Sequence, residues 1–298
     1  MSRQTRQRFQ EDGFIKLKEV LSADALSYFE ALITAEVKRL NTNTKPLAER
    51  DTYQRAFLQV MNLWRESPDV RAFVFSARLA RLAADLMGVD GVRLYHDQAL
   101  YKEAGGGHTP WHADQFYWPL DTANTVTAWI PLQATPLPMG PLAFSAASHR
   151  LTEGRDLAIS DRSEAAIAEQ LARNGLDCHE TPFDLGEVSF HYGWTFHRAG
   201  ANRSDAARAV MTIIYFEDGA RVAAPANANQ AGDLAHWMPD LVPGDLAASQ
   251  LNPRLYPAQE KASGQAPFKE SAAPPSEAEV LPLRRARGIS RARSRRLS

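Results

Sequence analysis

The chain has one cysteine, Cys178, among its 298 residues, and it lacks any run of about 18 consecutive apolar residues. A lone cysteine cannot form an internal disulfide or a thiolate metal site, so this usage fits a reducing compartment. The missing apolar run argues against a membrane-spanning helix. The first ten residues carry positive charge with no apolar stretch behind them, unlike a secretory signal. We therefore expect a cytoplasmic protein with no membrane partner.

Positive charge is scarce outside the end of the chain. Residues 281–298 hold seven of the 34 basic residues and no acidic one, which leaves 27 basic against 35 acidic residues and a formal charge of about −8 elsewhere. A nucleic-acid-binding domain needs its basic surface on the folded part, so we expect no nucleic-acid partner. From about residue 257 the composition turns to Ala, Pro, Ser and Glu and then to Arg, which predicts a disordered tail over 257–298.

Helix signals dominate residues 8–90. Ser22 precedes an apolar pattern at helical spacing that continues to about Arg39, and Ser67 with Pro68 forms a second helix start. The sequence from Glu11 to Leu17 predicts a turn that leads into a short strand. The 44% hydrophobic content is enough for a single core, and we predict one domain over residues 1–256.

Strand signals dominate residues 91–218, and residues 219–256 form a C-terminal extension. Predicted strands lie at 91–102, 125–132, 142–145, 188–197 and 209–216, with a helix predicted at 163–174. Several strands after a helical start predict a mainly β protein with helices (α+β), built as an antiparallel sandwich or barrel packed on the N-terminal helices.

His112, Asp114 and His197 are the residues most suggestive of chemistry. Side chains two positions apart at a strand end face the same side, so His112 and Asp114 can point at one centre. His197, at the end of the predicted strand 188–197, can complete the set. Two imidazoles and a carboxylate on one face of a metal leave three open positions, as in non-heme Fe(II) oxygenases. Taken singly, these residues also fit a surface turn and a buried structural histidine.

Arg208 opens the predicted strand that follows. A guanidinium that points into an apolar interior is costly unless an anion meets it, and a dicarboxylate held by a bidentate fork is a natural partner. The alternative is a solvated arginine at a strand start.

The region from Tyr95 to Arg208 resembles the phytanoyl-CoA dioxygenase (PhyH) family of Fe(II)/2-oxoglutarate-dependent oxygenases. The resemblance covers about residues 8–218. The matching stretches are Tyr95–Lys102, Thr109–Asp114, Ala128–Trp129, Gly140–Phe144, Ser148–Arg150, Gly186–Val188, His197–Gly200, Asn202–Asp205 and Arg208.

The resemblance implies a double-stranded β-helix (jelly-roll, cupin-like) core and an oxidoreductase that uses iron, 2-oxoglutarate and O2. It assigns His112, Asp114 and His197 as the catalytic Fe(II) ligands and Arg208 as the anchor of the 2-oxoglutarate carboxylate. Further expected co-substrate contacts are Trp129, Gln98, Thr109 and Lys102. Halogenating relatives replace the aspartate with a small residue, so Asp114 disfavours halogenation. Some relatives carry a hydroxyl residue where this chain has Ala199.

Aromatic residues crowd the region around the predicted metal ligands. We expect substrate contacts from Phe116, Tyr117, Trp118, Trp194 and His96. The expected reaction is hydroxylation of an unactivated C–H bond in a small or medium organic molecule, such as an acyl-CoA, a secondary metabolite or an amino-acid-like compound, with release of succinate and CO2. Two alternatives remain: a cupin-like metal enzyme that does not use 2-oxoglutarate, and a catalytically silent jelly-roll binding protein. A monomer and a homodimer are equally compatible with the sequence.

Overall fold

The structure is a computed structural model that describes residues 1–257. The predicted disordered tail, apart from Pro257, lies outside the described residues. Within residues 1–257, no helix combines the length and apolar character needed to span a bilayer.

The helices lie mostly in the first third of the chain. They are α1 (Arg3–Asp12), α2 (Ala23–Leu40), α3 (Thr52–Ala56), α4 (Leu63–Glu66), α5 (Pro68–Val74), α6 (Ala77–Met87), α7 (Asp161–Arg173) and α8 (Ala228–Trp237). The strands are β1 (Phe14–Leu17), β2 (Leu58–Met61), β3 (Val92–Lys102), β4 (Thr109–His112), β5 (Thr125–Pro131), β6 (Leu142–Ser145), β7 (Cys178–Glu180), β8 (Val188–Tyr192), β9 (His197–Ala199), β10 (Arg208–Glu217) and β11 (Arg254–Tyr256).

The strands form two antiparallel sheets. The larger sheet has the order β1-β8-β5-β10-β3-β11, and β2 also pairs with β3. The smaller sheet has the order β4-β9-β6-β7. Trp129 of the large sheet and Phe144 of the small sheet belong to one buried apolar cluster, so the sheets face each other without closing into a barrel. This jelly-roll arrangement with flanking helices confirms the predicted fold class.

Side-chain alternation gives the large sheet two different faces. Val126, Ala128 and Ile130 of β5 pack into the main core together with the apolar sides of α2, α5 and α6. Thr127 and Trp129, at the intervening positions, line a cavity between the two sheets. A period of two along the strand therefore separates the structural face of the sheet from the face that can carry a site.

Local signals for the N-terminal helices are confirmed. The Ser22 side chain accepts a hydrogen bond from the backbone N–H of Ala25 at the start of α2, and Ser67 accepts one from Val70 at the start of α5. Each hydroxyl satisfies a backbone donor that has no partner within its helix.

The prediction of one strand over 188–197 is wrong. The chain forms β8 in the large sheet, turns, and then enters β9 in the small sheet. Gly193 lies at the crossing, where a Cβ atom would come within 2.4 Å of the Thr125 hydroxyl. Only glycine permits the approach that lets the chain leave one sheet for the other.

Two of the longer helices, α1 and α8, are absent from the sequence-based predictions, in addition to the short α3 and α4. Helix α1 is strongly polar and buries only Thr5 and Phe9, so it lacks a long apolar stripe, although Gly13 ends it in the left-handed conformation. Helix α8 has no fully buried residue. Both helices are held by contacts with the rest of the fold that a local pattern does not reveal.

Candidate active site

Two histidines lie side by side at facing strand ends. His112 ends β4, His197 begins β9, and the register pairs the two residues directly. The Nδ1 atom of His112 lies 2.7 Å from the Pro110 carbonyl oxygen, and that of His197 lies 3.0 Å from the Thr195 carbonyl oxygen. A carbonyl oxygen only accepts, so each Nδ1 carries the proton and each Nε2 keeps a free lone pair.

Asp114 begins a short 3-10 turn just after β4 and faces both rings. Its Oδ1 lies 3.4 Å from Nε2 of His112 and 3.6 Å from Nε2 of His197. Burial alone would raise the pKa of this carboxyl, but attraction to His197 when that ring is protonated, and hydrogen bonds with the neighbouring histidines, hold the pKa well below its usual range. Burial also lowers the pKa of His197 well below its ordinary value. An ionised carboxylate and a neutral imidazole are the forms that bind a metal ion.

The three side chains meet the requirements of a metal centre. One ligand atom from each of His112, Asp114 and His197 lies within 4.8 Å of the other two. Ligand atoms at about 2.1 Å from one ion and at right angles to each other are about 3 Å apart, close to the separations found here. Two imidazoles and one carboxylate on one side of an ion form the facial arrangement that suits ferrous iron. The donor set therefore fits Fe(II).

The second oxygen of Asp114 is fixed by partners on the large sheet. Oδ2 accepts a hydrogen bond of 2.9 Å from the Thr127 hydroxyl and lies 3.3 Å from Nε2 of His191. Thr127 and His191 are opposite each other in the β5–β8 register. These contacts orient the carboxylate so that Oδ1 faces the two histidines. Neither residue could be assigned a role from the sequence, because their meeting depends on strand register.

A buried cation lies in the same cavity. Arg208 begins β10 and is 1% exposed, and within residues 1–257 no carboxylate forms an ion pair with it. Its Nη1 donates to the Gly140 carbonyl oxygen, and its guanidinium carbon lies 5.3 Å from the Trp129 ring centre. Its Nε has no hydrogen-bond partner in the described part of the chain. Burial lowers the pKa of Arg208 to about 9. A buried guanidinium with unused donors is matched to an anionic ligand.

Lys102 adds a second buried basic group beside Arg208, its partner in the β3–β10 register. Its Nζ donates to the Gly107 carbonyl oxygen and to the Thr109 hydroxyl at 3.3 Å. Burial, together with the charge of Arg208, lowers the pKa of Lys102 to about 6. An anion bound near Arg208 would raise the pKa of Lys102 again, against the effects of burial and of the Arg208 charge. This end of the cavity is therefore suited to the far carboxylate of 2-oxoglutarate.

The cavity holds about 690 Å³ and brings together most of the residues singled out from the sequence. That volume suits a co-substrate and a small or medium second molecule. The predicted residues that line it are His112, Asp114, His197, Arg208, Trp129, Gln98, Thr109, Tyr117, Trp118 and His96. Lys102 is not part of the lining and reaches it only through Thr109.

Trp194 and Phe116 lie elsewhere, in contrast to the expectation that they contact substrate. The Trp194 ring packs against the Arg155 guanidinium at 4.4 Å, beside the small sheet. Phe116 is not part of the cavity lining; its side chain is buried, and its carbonyl oxygen accepts hydrogen bonds from Asn227 and Gln230. The 3-10 turn after His112 accounts for the position of Phe116, since it sends consecutive side chains in different directions. Trp194 lies in the turn where the chain passes from β8 to β9.

Comparison with known protein families agrees with this geometry. The profile of the phytanoyl-CoA dioxygenase (PhyH) family matches residues 9–210, more than half of the chain. The chain belongs to this family. The matched region contains all three facing metal-ligand candidates and Arg208.

Relatives of this PhyH-family chain include 2-oxoglutarate-dependent enzymes. A protein of Stutzerimonas stutzeri named as a probable alpha-ketoglutarate-dependent hypophosphite dioxygenase is 22% identical over an alignment of 232 positions that covers 72% of this chain and 78% of that protein. The non-heme alpha ketoglutarate-dependent carbocyclase SnoK from nogalamycin biosynthesis superposes with a TM-score of 0.71 at 24% identity, over 85% of this chain and 96% of SnoK.

Two ligand-bound structures share the fold. The epimerase SnoN in complex with Fe3+, alpha ketoglutarate and nogalamycin RO has a TM-score of 0.69 at 24% identity, covering 85% of this chain and 97% of SnoN. EctD from S. alaskensis with 2-oxoglutarate and 5-hydroxyectoine has a TM-score of 0.62 at 22% identity, covering 77% of this chain and 81% of EctD. These similarities establish the jelly-roll fold of the PhyH-family chain.

Proposed function

We propose that this PhyH-family protein is an Fe(II)- and 2-oxoglutarate-dependent dioxygenase that hydroxylates an unactivated C–H bond of a small or medium organic molecule. One observation carries the proposal. The His112, Asp114 and His197 triad opens into the same cavity as Arg208, a buried cation with no acidic partner among the described residues.

Different residues of this chain would bind the iron and the 2-oxoglutarate. His112, Asp114 and His197 would hold ferrous iron, and Thr127 orients Asp114. When bound, the iron with 2-oxoglutarate and O2 supplies the oxidising power for C–H hydroxylation, with succinate and CO2 as co-products.

Arg208 would bind the far carboxylate of 2-oxoglutarate, and Trp129 shields that contact from water. Trp129 is 2% exposed, and its ring lies along the guanidinium. Excluding water strengthens the interaction between the two charges. A bound 2-oxoglutarate carboxylate would favour the protonated form of Lys102, which would then add positive potential from behind Thr109.

The alternatives fit the cavity less well. A metal enzyme that does not use 2-oxoglutarate has no need for a buried arginine and a buried lysine side by side, and neither has a silent binding protein. The carboxylate of Asp114 occupies the place that halogenation requires for chloride. Because the structural relatives include a carbocyclase and an epimerase as well, we base hydroxylation on the intact triad and on the open cavity beside it.

The test measures succinate formation and ligand binding separately. The wild-type protein should convert 2-oxoglutarate to succinate only with Fe(II) and O2, and one compound of a metabolite panel should stimulate this conversion. His112→Ala and Asp114→Ala should abolish turnover with an unchanged thermal unfolding midpoint. His108→Ala, close in sequence but outside the cavity lining, serves as the matched control.

Arg208→Ala should weaken 2-oxoglutarate binding by about 3 kcal/mol, roughly 100-fold in the dissociation constant, because a charge-assisted contact in a buried site is lost. Isothermal titration calorimetry of the anaerobic Fe(II) protein measures this constant. Arg203→Ala, five residues earlier and exposed, is the control. An unchanged affinity of the Arg208 variant, or no succinate under any condition, would overturn the proposal.

A further inference from the structure

The cavity continues beyond the triad into a region walled by segments outside the two sheets. We call this region the outer chamber and define it by Tyr53, Phe57, Tyr117, Trp118, Asp233 and Trp237. Tyr53 and Phe57 come from α3 and the residue that follows it, and Asp233 and Trp237 come from α8. Five of the six side chains are aromatic, and the sixth is a carboxylate.

The strand register separates the outer chamber from Arg208. Arg208 pairs with Lys102 at one end of the β10–β3 ladder, whereas Ile214 pairs with His96 and with Thr127, which holds Asp114. Six residues of extended strand span about 20 Å. Tyr95, next to His96, donates its hydroxyl to Asp233 at 2.9 Å. Asp233 therefore lies on the triad side of the cavity, far from Arg208.

Asp233 carries a charge that no lysine or arginine balances among the described residues. Within residues 1–257, no lysine or arginine forms an ion pair with it, and its hydrogen bonds come from the neutral Tyr95 hydroxyl and the Trp237 side chain. Burial raises the pKa of Asp233 to about 6, against the opposing effect of these hydrogen bonds and of the nearby His236. A carboxylate in such surroundings gains most from a cationic partner.

A second polar group of the cavity, the His96 ring, has a nitrogen atom without a partner among the described residues. His96 is 3% exposed and lines the cavity beside Trp237, with 5.3 Å between the ring centres. Its Nδ1 has no hydrogen-bond partner among the described residues. Burial lowers the pKa of His96 to about 3, so the ring is neutral and Nδ1 can pair with a donor or an acceptor on a ligand.

The cavity lining is unsuited to an anionic substrate in the outer chamber. Among the described lining residues, Arg208 is the only lysine or arginine, and it lies at the far end. Guanidinium and ammonium groups are the strongest donors to phosphate and carboxylate groups, and none of the six residues of the outer chamber carries one. Aromatic faces, in contrast, attract cations.

We propose that the substrate hydroxylated by this protein is an amine with a flat apolar body, whose ammonium group binds Asp233 among the aromatic rings of the outer chamber. This inference rests on the proposed function, since it names the class of molecule that receives the oxygen atom. Asp233 is its specificity-determining residue, and His96 binds a second polar group of the same molecule.

The experiment compares three probes that share one ring system and differ in charge: tryptamine, tryptophol and indole-3-propionate. Each is titrated calorimetrically into the anaerobic Fe(II) protein saturated with 2-oxoglutarate. We expect tryptamine to bind the wild-type protein at least tenfold more tightly than either of the other probes. Equal binding of all three probes, or a preference for the propionate, overturns the inference without any variant.

Variants then localise the preference. Asp233→Asn should lower tryptamine affinity at least tenfold and leave tryptophol affinity within twofold, while Asp233→Glu should restore most of the preference. Asp240→Asn is the matched control, because Asp240 is exposed and follows α8, and asparagine tolerates its positive φ of 66°. A preference that survives in Asp233→Asn overturns the assignment to Asp233.

Binding of 2-oxoglutarate separates this inference from the proposed function. Asp233→Asn should keep the wild-type affinity for 2-oxoglutarate, because Arg208 is remote. A protein that binds 2-oxoglutarate but has no preference for the amine refutes the substrate class alone. A protein that prefers the amine but neither binds nor consumes 2-oxoglutarate refutes the proposed function.

Discussion

Thr127→Val should weaken metal binding although Thr127 is not a ligand. Its hydroxyl donates a 2.9 Å hydrogen bond to Oδ2 of Asp114, and the side chain is 2% exposed, so water cannot replace the lost donor. A hydrogen bond to a charged group contributes about 1.5–3 kcal/mol. His191, at 3.3 Å from the same oxygen, still holds the carboxylate in part. We therefore expect a loss near the lower limit, about 1.5 kcal/mol, or roughly tenfold in metal affinity.

The assay is anaerobic calorimetry with Fe(II), repeated with Co(II) as a metal that does not oxidise under these conditions. Thr212→Val is the matched control, because Thr212 is equally buried on the neighbouring strand and donates to the Gln98 carbonyl oxygen rather than to Asp114. The thermal unfolding midpoint of both metal-free variants shows whether the fold is retained. A Thr127→Val protein that binds metal within twofold of wild type refutes the reasoning. So does a Thr212→Val protein that loses as much affinity.

Two further predictions concern stability. Gly140→Ala should lower the free energy of unfolding by more than about 2 kcal/mol, because φ is 68° and the new Cβ would lie 2.2 Å from the Gly200 carbonyl oxygen. Gly175→Ala, at φ 63° in open space, should lower it by only about 1 kcal/mol. Equal shifts of the two unfolding midpoints would contradict this. Burial opposes ionisation of Asp218, but hydrogen bonds from Arg93 and a second arginine outweigh it and lower the pKa. A lowered folded-state pKa stabilises the protein above the unfolded value of about 4, and this stabilisation disappears as the pH falls through the folded value. After allowance for solvent screening, Asp218→Asn should lower the free energy of unfolding by about 1 kcal/mol at pH 7 and by progressively less below pH 4, as measured by urea titration. A difference between variant and wild type that does not change with pH would argue against the ion pair.

Features that depend on a few neighbouring residues could be predicted from the sequence. Ser22 and Ser67 cap helices because a hydroxyl next to a free backbone N–H is a local arrangement. His112 and Asp114 converge because they are two positions apart at a strand end, and Arg208 is buried where the last long strand begins. The fold class and the metal-ligand set followed from these signals together with the family resemblance.

Features that depend on register or on chain crossings could not be predicted. Thr127 and His191 contact the same oxygen because β5 and β8 pair in one particular register, which a single strand sequence does not specify. The break between β8 and β9 could not be predicted either, because it depends on the close approach of Gly193 to Thr125. Asp233 enters the cavity only because α8, a helix with no fully buried residue, is held against Phe116 by Asn227 and Gln230.

Two short strands that are distant in sequence, β2 and β11, pair with the same edge of β3. Residues 58–61 pair with residues 98–101, and residues 254–256 pair with residues 92–93. A bare edge of this length would offer unpaired backbone groups to other chains and so promote aggregation. Any shortened form of the protein prepared for crystallisation must therefore retain Tyr256. A truncation before β11 would expose unpaired backbone groups on the strand that carries His96 and Gln98.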